Sequence, residues 1–188
     1  MPIELRHATI NDANAMARLA NFAGEGLPET IWRGMAQPTE TPIDVGTREA
    51  ASETGVFSWK NTVVAEVDGE FAGMVISYLT GAHAVPLTED THPVLRPLTV
   101  LENQALETRH INLLATFATF RGRGVAHELI AHAEGRPGVN GVSVIATDKN
   151  SYGLRFYRDL GYRQSATAPV IKTNWNTSNQ TWYLMHKP

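Results

Sequence analysis

No cysteine occurs in the 188-residue sequence. Disulfide frameworks, thiolate metal sites and cysteine nucleophiles are therefore excluded. The sequence also lacks any apolar run near the roughly 20 residues that a membrane helix needs. Its first residues carry no basic segment followed by an apolar one, as a secretory signal would. We therefore expect no membrane partner and a cytoplasmic location.

An excess of basic residues is missing as well. Sixteen Lys and Arg residues against nineteen Asp and Glu residues give a formal net charge of −3. This balance indicates no general affinity for nucleic acid, so none is expected as a partner. The length fits one domain, 1-188, in which the proline-rich stretch 80-108 is an irregular insertion.

The hydrophobic pattern predicts a sheet with helices packed on it. Its clearest element is a hairpin over 62–79, because Asp68-Gly69 between β-branched runs favours a two-residue turn. Further strands are predicted at 3–6, 111–117, 142–146, 162–171 and 180–186, and helices after Thr9, around 28–58, near 98–106, from 125 and from 150. This order predicts an α/β (α+β) layered domain.

One loop has the composition of an anion-binding site. A predicted strand runs directly into Arg121-Gly122-Arg123-Gly124-Val125-Ala126, which opens a helix. Glycines let the backbone bend and approach a ligand closely, and a helix start presents unpaired N–H groups with the positive end of its dipole. Because two arginines add formal charge, a diphosphate is the natural ligand.

Two other phosphate motifs do not fit these residues. A P-loop needs a Gly-Lys-Ser/Thr ending, and no such lysine is present. A dinucleotide fingerprint needs a small residue at 127 and an acid near 144, where this sequence has His127 and Val144. What remains, Arg-x-x-Gly-x-Ala, resembles the Gln/Arg-x-x-Gly-x-Gly/Ala loop of the GNAT superfamily of N-acetyltransferases.

A second segment strengthens the resemblance. Asn150-Ser151-x-x-Leu154-x-Phe156-Tyr157-x-x-Leu160-Gly161-Tyr162 is similar to the GNAT segment Asn-x-x-Ala-x-x-Phe-Tyr-x-x-x-Gly-Phe, and it departs at Leu154 and Tyr162. The resemblance covers about 111–162. It implies a GNAT-like mixed, mostly antiparallel sheet of six to seven strands flanked by about four helices. It also implies an acyltransferase that moves an acetyl group from acetyl-CoA to a primary amine by direct attack in a ternary complex.

The resemblance assigns the coenzyme and catalytic residues. The amides of the loop, Arg121, Gly122, Arg123, Gly124, Val125 and Ala126, bind the pyrophosphate. Main-chain groups of Thr116 and Phe117 pair with the pantetheine arm, and Asn150 hydrogen-bonds nearby. Tyr157 faces the coenzyme sulfur as general acid, because a phenol keeps its proton at pH 7. Counting eleven residues back from Arg121 gives His110 as a candidate base; a strand-start histidine without a catalytic role is an equal alternative.

The acceptor amine is less defined. By the resemblance, Glu25, Glu29 and Trp32 wall its pocket, although solvated glutamates in a turn are also consistent with the pattern. The aromatic residues near the end, Trp175, Trp182 and Tyr183, serve that pocket or a homodimer contact. No metal is expected, since His127 and His132 are five apart on one helix. A small-molecule amine is the favoured acceptor; a protein N-terminus or lysine, or a non-catalytic acetyl-CoA sensor, are the alternatives.

Overall fold

The computed structural model describes residues 2–188, and these form one seven-stranded sheet and six α-helices. The elements are β1 (Ile3–His7), α1 (Ala13–Ala23), α2 (Leu27–Met35), α3 (Pro42–Ala50), β2 (Thr62–Val67), β3 (Glu70–Leu79), α4 (Arg96–Glu102), β4 (Arg109–Thr116), α5 (Val125–Glu134), β5 (Val142–Thr147), α6 (Ser151–Asp159), β6 (Arg163–Pro169) and β7 (Thr181–Lys187). The predicted fold class is confirmed. Six helices form rather than about four, because the loosely patterned stretch after α1 folds as two helices and α4 adds a third.

The sheet has the order β1-β2-β3-β4-β5-β7-β6. β4 and β5 pair in parallel, whereas the β1–β2, β2–β3, β5–β7 and β6–β7 pairs are antiparallel. The predicted hairpin turn joins β2 to β3, and its residues Asp68 and Gly69 have φ of 55° and 77°. Both values are positive, as the tight turn of a two-residue hairpin requires.

By its contacts the chain divides into two compact units, Met1–Tyr78 with Asn112–Gly135, and Leu79–Ile111 with Arg136–Pro188. In the first unit, α1, α2 and α3 pack with β2 and β3 around fully buried Met16, Leu19 and Met74. Burying such side chains contributes about 1.5–3 kcal/mol each. This core fixes the helices that flank the glycine-bearing loop.

The second unit has its own core. Its fully buried side chains include Leu101 of α4, Leu184 of β7 and Tyr162 before β6. No helix in the described residues is both long and apolar enough to cross a bilayer. Across residues 2–188, no three His, Asp or Glu side chains are grouped so that they could hold a metal ion.

Candidate functional site

The glycine-bearing loop lies between β4 and α5 in the first unit. After Thr116 the chain makes one short helical turn and then passes through Gly122 and Gly124, whose φ values are 72° and 88°. Side-chain-bearing residues rarely adopt these left-handed angles, so glycine is needed at both positions. His127 N and Glu128 N then donate to Gly124 O at 2.9 and 3.1 Å, which starts α5.

The backbone amides of this loop are available to a ligand. Within the described part of the first unit, no backbone carbonyl accepts a hydrogen bond from the amides of residues 122–126. The space beside Gly122 is open, because no heavy atom of the described residues lies within 4 Å of the position that a Cβ would take. Unpaired N–H groups at the start of a helix, together with its dipole, favour the binding of an anion.

Both arginines of the loop lie over aromatic rings rather than beside carboxylates. Arg121 lies over the ring of Phe22 at 5.0 Å, and Arg123 lies over the ring of Phe120 at 5.4 Å. Neither arginine pairs with a carboxylate among residues 2–188. An exposed cradle of amides between two unneutralised cations fits a doubly charged diphosphate.

The end of β4 offers a hydroxyl without a partner. Thr116 Oγ1 is buried and has no hydrogen-bond partner among the described residues. An unpaired buried hydroxyl costs free energy, so a polar ligand lying along β4 would satisfy it. Phe117 N, in contrast, already donates to Ala72 O at 2.9 Å. The amide predicted to pair with the pantetheine arm at this residue is therefore in use within the sheet.

In the second unit, Asn150 begins α6. Its Oδ1 accepts a hydrogen bond from Gly153 N at 2.9 Å, which is the contact of a helix N-cap. Its Nδ2 has no partner in the described residues, so the same side chain still has two N–H donors for a ligand.

Tyr157 lies on the buried face of α6. Its ring meets Phe156 and Tyr162 with centroids 5.6 Å away in each case and planes tilted by 68° and 63°. Burial raises the pKa of the Tyr157 phenol above its usual 10. The phenol therefore stays protonated at neutral pH.

His110 lies in a buried hydrogen-bond chain. Its side chain is 2% exposed, and Nδ1 lies 2.9 Å from Ser143 Oγ, which in turn lies 2.7 Å from Thr108 Oγ1. Glu102 Oε1 lies 4.0 Å from Nε2. Burial lowers the pKa of His110 to about 4, so the ring is neutral at pH 7 but is a weak base. This geometry fits a structural histidine better than the predicted general base.

Glu29 and Glu25 lie in the turn that joins α1 to α2. The carboxylate of Glu29 accepts hydrogen bonds from Asn21 Nδ2 at 3.1 Å and from Arg33 Nη2 at 2.7 Å. Its carboxylate thus already has two partners within the turn, and contact with a cationic amine stays a prediction for Glu29. Glu25 is exposed and has φ of 52°, so it projects from a tight turn.

Trp32 belongs to the core of the first unit. Its side chain is 6% exposed, its ring lies 5.7 Å from that of Phe57, and it covers Gly46 so closely that an added Cβ would lie 2.5 Å away. Trp32 is thus a packed side chain of the core, and its role as a wall of the acceptor pocket stays a prediction.

The predicted residues divide between the two units. The glycine-bearing loop and the α1–α2 turn lie in the first unit, whereas His110, Asn150 and Tyr157 lie in the second. Phe22 is a further residue beside the loop that was not predicted from the sequence. One feature of the sequence could have identified it. The helical spacing of Met16, Leu19 and Ala20 predicts which face of α1 is buried, and Phe22 is an aromatic residue on the other face, which is otherwise polar and predicted to be exposed to solvent.

Comparisons with known proteins agree with this geometry. Residues 58–164 match the family model described as acetyltransferase (GNAT) domain. No curated protein sequence matches the chain. The fold is similar to that of an N-acetyltransferase from Staphylococcus aureus Mu50, with 17% identity, a TM-score of 0.65 and coverage of 97% of this chain and 98% of that chain.

Two further structures share the fold. A mosquito arylalkylamine N-acetyltransferase like 5b has 15% identity, a TM-score of 0.65 and coverage of 99% of both chains. Naa50 of Arabidopsis thaliana, in complex with the bisubstrate analogue CoA-Ac-MVNAL, has 14% identity, a TM-score of 0.58 and coverage of 100% of this chain and 99% of that chain. The family model spans more than half of the sequence. This chain therefore belongs to the GNAT acetyltransferase family and is an acyltransferase.

Proposed function

We propose that this acetyltransferase moves the acetyl group of acetyl-CoA to a primary amine of a small molecule, by direct attack in a ternary complex. The observation that carries the proposal is the loop between β4 and α5, where the amides of residues 122–126 have no backbone partner in the first unit and Arg121 and Arg123 keep their charge. Charge-assisted hydrogen bonds of this kind contribute about 1.5–3 kcal/mol each.

In this proposal the coenzyme is held at three places. Its pyrophosphate lies on the amides of residues 122–126, its pantetheine arm satisfies the buried Oγ1 of Thr116 and pairs with the main chain there, and Asn150 Nδ2 donates to it. Arg121 N already donates to Ala118 O at 3.3 Å, so Arg121 contributes its guanidinium. Phe117 lies beside the arm but does not donate its amide to it, because that amide is already hydrogen-bonded to β3.

The chemistry follows from the protonation state of Tyr157. The ammonium group of the acceptor first loses a proton to water. The neutral amine nitrogen then attacks the thioester carbon, and the C–S bond breaks with its electron pair going to sulfur. Tyr157, whose phenol is protonated at neutral pH, donates its proton to the sulfur as negative charge develops there. The nitrogen loses its extra proton to water, and Tyr157 recovers a proton from solvent. Water takes this base role in the proposal, since the pKa of His110 is about 4.

The acceptor side rests on the turn between α1 and α2. We assign Glu25 to the cationic amine, because it is exposed at the tip of the turn. Asn21 fixes that turn, since its Oδ1 accepts from Glu29 N at 3.0 Å while its Nδ2 reaches the Glu29 carboxylate. Glu29 and Trp32 then act as supports of the turn behind the acceptor rather than as direct contacts.

The test is the release of coenzyme A thiol from acetyl-CoA across a panel of polyamines, amino acids, aminoglycosides and short peptides. The proposal expects turnover with at least one small amine at a higher kcat/KM than with any peptide. Turnover of peptides alone would replace the small-molecule acceptor with a protein one. Binding of acetyl-CoA without turnover of any amine would make the chain a sensor, contrary to the proposal.

A further inference from the structure

Phe22 is an aromatic residue with an unusual environment. It lies on α1, one residue before the end of the helix, and 56% of its side chain is exposed. Burial of apolar area explains little of its presence, since more than half of the ring remains in water. Its one described ring contact is with the guanidinium of Arg121, 5.0 Å from the ring centroid.

This stack leaves Arg121 able to bind a phosphate. A guanidinium that lies over an aromatic ring uses its flat face for that contact, whereas its five N–H donors lie in its plane. A cation–π contact does not need these donors as hydrogen-bond partners. Because no described carboxylate pairs with Arg121, the full charge remains as well.

The two arginine stacks of the loop differ in origin. Arg123 lies over Phe120, which belongs to the same turn of chain. Phe22 comes from a separate element, so its stack ties the loop to α1. The part of α1 that carries Phe22 is held in place, because Leu19 is fully buried and Asn21 is hydrogen-bonded to the backbone of Glu29. A long arginine side chain held in place before binding loses less rotamer freedom when the ligand arrives.

We propose that Phe22 is a positioning residue for coenzyme binding, and that its ring holds the Arg121 guanidinium in the orientation that receives a phosphate of acetyl-CoA. This inference rests on the proposed function of the loop. It adds a residue of α1 to the pyrophosphate end of the coenzyme site, which is otherwise made of α5 and the connection that leads to it from β4.

The test compares two substitutions at one position. Phe22→Leu keeps an apolar side chain but removes the aromatic face, and Phe22→Tyr keeps that face. Met35→Leu is the matched control, since Met35 is also an exposed apolar residue of the first unit, at 44%. Each variant is titrated with acetyl-CoA by calorimetry and assayed for KM and kcat, in the native background and with Arg121→Ala.

Phe22→Leu is expected to raise the Kd and KM for acetyl-CoA about two- to fivefold, as loss of an exposed cation–π contact predicts, with kcat unchanged. Phe22→Tyr and Met35→Leu are expected to bind like the wild type. In the Arg121→Ala background, Phe22→Leu is expected to change nothing further. An equal loss in both backgrounds, or no loss in the native one, overturns the positioning role. Failure of the wild type to bind acetyl-CoA would instead remove the proposed function and this inference together.

Discussion

The substitution Gly124→Ala is expected to perturb the backbone conformation of the loop with little change in packing. Gly124 precedes α5 with φ of 88°, and the nearest atom to an added Cβ is Ile3 Cδ1 at 3.8 Å, an ordinary contact. The substitution therefore tests backbone conformation without a steric clash. Holding a non-glycine residue in the left-handed region costs roughly 1–2 kcal/mol. At about 2–4 °C per kcal/mol for a chain of this size, Tm should fall by about 2–8 °C.

The same substitution should act on coenzyme binding. Relief of the backbone strain turns the neighbouring peptide planes, and one N–H group of the cradle then points away from the phosphate. Loss of one hydrogen bond to a charged group costs about 1.5–3 kcal/mol, so the Kd for acetyl-CoA should rise about 10- to 100-fold. Calorimetric titration measures this change on protein that thermal unfolding shows to be folded.

Gly135→Ala is the matched control at the other end of α5. Gly135 has φ of −65°, and its nearest neighbour to an added Cβ is Ala131 O at 3.4 Å. Alanine fits that conformation, so stability should hold or rise by up to about 1 kcal/mol with unchanged affinity. If Gly124→Ala lowers Tm but binds acetyl-CoA as tightly as the wild type, the left-handed bend is not needed by the coenzyme and the reasoning is refuted.

Three other predictions concern the second unit. Tyr157→Phe keeps both edge-on ring contacts, so it should lower kcat by about 10²- to 10⁴-fold while the Kd for acetyl-CoA changes less than twofold; an unchanged kcat would remove Tyr157 from the chemistry. Asn150→Ala removes the cap bond to Gly153 N and should cost about 1 kcal/mol in urea unfolding, with Asn150→Ser retaining most of the stability. The pKa of His110 is lowered to about 4, so between pH 6.5 and 4 the unfolded chain binds a proton that the folded chain does not. Stability should therefore fall as pH drops through that window, and an equally steep fall in His110→Gln would contradict this source.

The elements with strong local signals were predictable from the sequence. Asp68-Gly69 marks a hairpin turn because its two positive φ angles suit few other residue pairs. Asn150 marks the start of α6 because its side chain replaces a missing backbone partner. The glycines of the coenzyme loop are informative for the same reason, since their backbone angles exclude other residues. Local chemistry of this kind is readable without knowledge of the tertiary fold.

Pairings between distant segments were not predictable. The sequence shows that Glu29 is charged, but not that Asn21 and Arg33 occupy its carboxylate. His110 follows the spacing of a catalytic glutamate, yet its burial depends on how β4 packs, which no local pattern reports. Trp32 is likewise a core residue only because Gly46 leaves room for its ring. That residues 1–188 make up a single domain stays a prediction.

The most direct test of the central claim is an amide ¹H–¹⁵N NMR titration of the wild type with acetyl-CoA. The account predicts that the amides of residues 122–126 show the largest shifts, with Gly122 and Gly124 among them, and that coenzyme A produces the same pattern at the loop. Saturable binding with the resonances of this loop unmoved would contradict it.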